Sequence, residues 1–107
     1  MNKQDYLAQA QVAVSQSYDC GAMHRETVPV HEIVQGQTVW VGNVEVFDLN
    51  GHPRAKRAYA WSHREGANDE GERFVTVLEI HPVTSPVTAV RASLLADAQK
   101  RKEKGEK

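Results

Sequence analysis

The feature that most constrains this chain is a change of hydrophobic period between its ends and its centre. Four central runs, Thr27–Val34, Thr38–Leu49, Arg57–His63 and Arg73–His81, are rich in Val, Ile, Thr and aromatic residues, which suit a pleated, half-buried surface. Turn formers separate them: Gln35-Gly36-Gln37, Asn50-Gly51-His52-Pro53 and the polar segment Glu65–Glu72. Such short connections predict four strands in an antiparallel meander. Pro29 has no N–H to give to a ladder, which sends the first strand to an edge. Gly42-Asn43 interrupts the long second strand and predicts a bulge there.

Both flanks read as helices. From about Asn2 to Asp19, residues Tyr6, Leu7, Ala10, Val14 and Tyr18 fall near one stripe, with Gln4, Gln9, Gln11 and Gln16 mainly elsewhere. Gly21 is placed to end that helix in a left-handed conformation. At the other end, Ser85 can cap orphan amides while Pro86 takes the first helical position, where its missing N–H costs nothing. Val87, Val90, Leu94, Leu95 and Ala98 then share a face up to about Lys100. Arg101–Lys107 is charged and has no apolar anchor, so it is expected to fray into a flexible, disordered tail. The resulting expectation is an α+β fold in the order α-β-β-β-β-α, with one domain over residues 1–100 and the tail over 101–107. A chain of 107 residues has room for a single core that needs no metal or disulfide staple.

Composition narrows the function classes. Apolar residues are 40% and charged residues 25% of the chain, the balance of a folded globule. Cys20 is the only cysteine, so no disulfide or four-cysteine zinc cage forms within one chain, which fits a reducing compartment. The start, MNKQDYLAQAQ, lacks the apolar stretch of a signal peptide, and no run approaches a membrane span. A cytoplasmic location with no membrane partner is expected. Net charge is −1, but Lys100–Lys107 carries +3, which leaves residues 1–99 at −4. An acidic body argues against a nucleic-acid partner, whose phosphates call for a basic face. The element order has a coarse similarity to the double-stranded RNA-binding fold. That similarity stops at the order, because the last helix begins TSPVTAVR without the lysine-rich start such domains use. The chain has no GK[ST] glycine loop, no GxGxxG after a strand, no GxSxG elbow and no HExxH, and no cofactor is expected.

Alternation sorts the strands into two faces. One would hold Val44, Val46, Ala58, Ala60, Phe74, Leu78 and Ile80, where the small Ala pair lets a helix approach closely. The other would hold Glu45, Phe47, Tyr59, Trp61, His63, Val75, Val77, Glu79 and His81, mixing aromatic and ionisable groups. A one-residue slip of register would exchange the faces.

The candidate chemistry follows from that second face. Glu45, Tyr59, Trp61, His63 and Glu79 are the candidate ligand or interface residues, in a non-catalytic binding or interaction domain that self-associates. A rival reading is a small enzyme in which His63 works with Glu45 or Glu79 as acid and base. A third is a nucleic-acid binder using the turn cluster His52, Arg54, Lys56 and Arg57 with the basic tail; the same cluster also reads as a hairpin turn kept soluble. Cys20 and His24 could pair as nucleophile and base, but a helix C-terminus disfavours the thiolate. His24, His31, His52, His63 and His81 lack the i, i+4 spacing that arms one helix with two imidazoles, so no metal site is assigned. The segment Asn68–Glu72 lacks the alternating ligands of a calcium loop.

Overall fold

The computed structural model describes residues 3–64 and 72–105, with side-chain placements for 3–62 and 74–98. Helix α1 (Lys3–Tyr18) is followed by strands β1 (Gly21–Val34), β2 (Gln37–Asn50), β3 (Arg57–Arg64) and β4 (Glu72–Leu78), then helix α2 (Pro86–Gly105). The strands form one antiparallel sheet in the order β1-β2-β3-β4, with β1 at an edge. This is the α+β meander with two flanking helices that the periodicity predicts. Among the described residues, no helix is long and apolar enough to cross a membrane.

The helices take opposite faces of the sheet. The stripe of α1 buries Ala10 and Val14 against Phe47, Ala58 and Ala60, with Tyr18, Leu49, Phe74 and Leu78 around them. Ala58 and Ala60 bring no bulk, so the helix sits close. Two tyrosines lock it across the strands: Ser62 N–H donates to the Tyr6 hydroxyl at 3.2 Å, and the Tyr18 hydroxyl donates to Thr76 Oγ1 at 3.0 Å. On the other face α2 buries Ala89 and Val90 against Val30, Val44, Val46, Tyr59 and Trp61.

Register corrects the sorting of β2. Glu45 pairs with Ala60 and Val46 with Tyr59, so Val44 and Val46 lie with Tyr59 and Trp61 under α2, while Glu45 and Phe47 lie with Ala58 and Ala60 under α1. The assignments within β3 and β4 stand as read; β2 is shifted by one residue. Its residues 44–47 are all buried, because both faces are covered, and a doubly covered strand loses its alternation.

The bulges also fall elsewhere than Gly42-Asn43. Those residues pair regularly with Val30 and Pro29, and the shifts lie at Arg25 in β1 and Val39 in β2. Gly42 serves a different need: a Cβ there would stand 3.0 Å from Cη2 and 3.3 Å from Cζ2 of Trp40, whose ring lies over the bare backbone and meets Trp61 edge-on at 5.7 Å. The β1–β2 turn has positive φ at Gln35 (51°) and Gly36 (80°), as a two-residue type I′ hairpin requires.

The helix ends differ in detail from the reading. Asp19, at φ 53°, takes the left-handed position expected of Gly21; Cys20 N–H returns to the Ser15 carbonyl, a Schellman-type closure, and Gly21 opens β1. Strand β1 thereby starts six residues before Thr27. Strand β4 stops at Leu78 because Ile80 N–H turns back to the Leu78 carbonyl and leaves the ladder. Ser85 caps α2 as expected, its Oγ accepting from Thr88 N–H at 3.3 Å. Thr88 answers: its Oγ1 accepts from both Thr84 N–H and Ser85 N–H at 2.9 Å, a capping box with threonine in the place usual for Glu or Gln. The α2 backbone runs past Lys100 to Gly105, through Gln, Lys, Arg and Glu residues of good helix propensity.

Candidate interaction surface

The aromatic face is closed in the monomer. Tyr59 is 2% and Trp61 4% exposed, beneath Ala89 and Val90 of α2, so the residues read as candidate ligand or interface groups on this face lie in the core. The physical reason is the second helix: Val90 and its neighbours need an apolar floor, and Tyr59, Trp61, Val75 and Val77 supply it. At its margin the Tyr59 hydroxyl donates to Glu79 Oε2 at 2.6 Å. Burial first, then this hydrogen bond and the charge of Glu79, hold the Tyr59 phenol far above its ordinary range.

Glu45 belongs to the other face, apart from Tyr59, Trp61 and Glu79. Its side chain is 3% exposed, and Oε1 accepts from His24 Nε2 at 2.9 Å and from the Thr27 hydroxyl. His24 and Thr27 are three apart, a spacing that would put them on opposite faces of a regular strand. The extra residue Arg25 in the bulge brings both onto Glu45. The imidazole also stands edge-on to Phe47, 5.4 Å between centroids. Both contacts of this carboxylate oxygen close the β1–β2 seam, so the pair acts as a cross-link. His63 lies opposite Arg73 in the ladder; its side chain falls outside the described residues, as do the segment 65–71 and the side chains of the expected tail.

The basic cluster is divided among local tasks. His52 Nδ1 accepts from the N–H groups of Arg54 and Ala55 at 3.1 and 3.0 Å, shaping the β2–β3 turn. Arg57 reaches Asp48 at 3.4 Å, and Arg25 reaches the same carboxylate at 3.3 Å. Arg54 and Lys56 point to solvent. His31 bonds Thr38 Oγ1 at 2.7 Å across the hairpin. Among the described residues no three His, Cys, Asp or Glu side chains gather closely enough to hold a metal ion.

What remains partly uncovered is the far half of the β1–β2 hairpin, where Val30 and Glu32 are buried on the α2 side but several neighbours are not. These strands pair from Gly21↔Asn50 to Val34↔Gln37, whereas β3 joins β2 only along Glu45–Asp48. Among the described residues, the hairpin beyond Val44 is a two-stranded arm. It exposes Ile33 (52%), Val34 (51%), Val39 (45%) and Val41 (68%). From Gln37 to Val44, QTVWVGNV, it carries no charge.

No family model, curated protein or solved structure matches this chain.

The geometry of the chain is therefore the guide to its chemistry. An open groove of about 420 Å³ between α1 and β4 is lined by Ala8, Gln9, Val12, Ala13, Gln16 and Phe74, which supply no acid, base or nucleophile. Among the described residues the arm pairs with no third strand, and it carries exposed branched aliphatic side chains. Alternation on β2 did not reveal it, but the uncharged run Gln37–Val44 is visible in the sequence, and so is the contrast with Arg25, Glu26, His31 and Glu32 on the facing strand. Glu32, 7% exposed and held by Arg91 Nε at 3.0 Å, and Thr27 are structural residues that no local pattern announced; the partner of Glu32 lies 59 positions away.

Proposed function

We propose that this chain is a non-catalytic interaction domain that offers the β1–β2 arm to a partner. The observation that carries this is the arm itself: four substantially exposed aliphatics on a strand pair whose β2 side, Gln37–Val44, has no charged residue. Exposed strand edges are normally guarded by charge, proline or a covering element, and charge is depleted at the centres of interfaces. The aromatic residues Tyr59 and Trp61 then act indirectly, as the core that holds the base of the arm. A lone Cys20 free of any disulfide suits work in the reducing cytoplasm.

A photo-cross-linking side chain at Val41, with the same side chain at the exposed Asp97 of α2 as control, tests the reading in cells. A discrete adduct at Val41 and none at Asp97 is expected. No adduct at Val41, or the same pattern at both positions, would overturn it.

A further inference from the structure

Resting on that reading, the geometry points to a second copy of this chain as the partner, paired antiparallel along the free edge of β2 about a two-fold axis at Val41. The backbone sets the possibilities. Leu49 N–H donates to the Lys56 carbonyl, so by alternation the odd-numbered residues of β2 turn their N–H and C=O groups toward the β3 side. At Glu45 and Phe47 strand β3 meets them. At Val41 and Asn43 no described strand does.

Among the described residues no strand pairs with this row, since the β3 N–H nearest it, at Ser62, turns to the Tyr6 hydroxyl. A row of unpaired donors and acceptors calls for another strand, and the outer edge of β1 is less receptive. The outer side of β1 carries Pro29, the Arg25 bulge and the charges of Arg25 and Glu26, which are the usual guards against edge pairing. The edge of β2 has none of these between Trp40 and Val44. An identical neutral strand brings no charge to bury and none to repel, whereas a charged peptide would find no complement along it.

The register follows from the side chains. With the axis at Val41, the most exposed valine of the arm packs on the partner's Val41, an apolar cross-strand pair. On the opposite face Trp40 stands across from the partner's Gly42, which adds no side chain there, and each ring stays over the Gly42 of its own chain. An axis at Gly42 would instead set Val41 against the amide of Asn43. The product is a continuous β1-β2-β2-β1 sheet joining two arms. A short ladder with a few aliphatics is a small interface beside the roughly 800 Å² per partner of a standard one, so association should be reversible and concentration-dependent.

Sedimentation velocity on the full chain, over a concentration series through the micromolar range, tests this. A shift from monomer toward dimer with rising concentration is expected. Val41→Lys, which sets two ammonium groups against each other at the axis, should weaken association by at least about tenfold while circular dichroism and the urea midpoint stay unchanged. In a Cys20→Ser background, Val41→Cys should form a disulfide dimer under mild oxidation, since facing Cα atoms in such a pair stand about 5.5 Å apart. Wild-type protein that stays monomeric throughout the series, or a dimer that survives Val41→Lys, overturns the second copy as partner. A monomer that still gives a cellular adduct at Val41 with another protein overturns this inference and leaves the interaction domain standing; a monomer with no adduct removes both.

Discussion

Gly42→Ala should destabilise the protein, although removing glycine from a strand ordinarily does the reverse. Gly42 has no positive φ, so alanine fits the backbone, and the smaller freedom of the unfolded chain should contribute about 0.5–1 kcal/mol in its favour. Against this, the new Cβ would stand 3.0 Å and 3.3 Å from two atoms of the Trp40 ring, where carbon atoms prefer about 3.5–4.0 Å. The ring cannot simply tilt away, because Trp61 abuts it at 5.7 Å and Trp61 is itself fixed beneath α2. Displacing Trp40 forfeits an edge-on ring pair of about 0.5–1.5 kcal/mol and part of the burial of a half-buried indole, about another 1–1.5 kcal/mol on the scale of large apolar side chains. The net loss is about 1–2 kcal/mol. Urea denaturation of Gly42→Ala in the wild-type and Trp40→Leu backgrounds, at concentrations where the chain is monomeric, reads both terms. In the second background the alanine should turn stabilising by about 0.5–1 kcal/mol. The same sign and size in both backgrounds would refute the proposed role of the bare backbone.

Three further outcomes follow from the same packing. Trp61→Ala should cost about 3–5 kcal/mol by urea titration, as core truncations of aromatic residues do; a loss under about 1 kcal/mol would show that α2 does not seal that face. Thr88→Val should cost about 1 kcal/mol, because Thr84 and Ser85 N–H lose their shared acceptor, and a neutral result would mean that water serves them equally well. Tyr59→Phe should flatten the alkaline loss of stability: the folded phenol keeps its proton far above the unfolded value of about 10, so its contribution is complete below about pH 10 and drains away as pH rises beyond it. Urea midpoints at about pH 9 and about pH 11 should fall less for Tyr59→Phe than for the wild type, with Tyr18, whose phenol burial also pushes up, sustaining a residual slope; equal falls would refute the assignment.

Elements declared by a repeated local signal were legible, and those set by a distant partner were not. Helix α2 shows why: Ser85 and Pro86 mark its start by their own chemistry, whereas Val87 and Leu95, which share the apolar stripe, are 36% and 71% exposed although Ala89 and Val90 between them are buried. Periodicity tells which side of a helix is apolar but not how far its floor extends. Strand β2 is the sharper case. Helices on both faces make Val44, Val46 and Phe47 equally buried, and the one residue that could have broken the tie, Glu45, points into the protein instead of out of it. It can do so only because Arg25 bulges and delivers His24 and Thr27 to its carboxylate, and a single inserted residue in the neighbouring strand has no signature in the composition of β2. The arm obeys the opposite logic. Burial leaves Val41 exposed, so what its sequence records is the absence of the charges that guard an ordinary edge. On that reasoning, of the surfaces described, the one most informative about partners is the one where the sequence declines to protect itself.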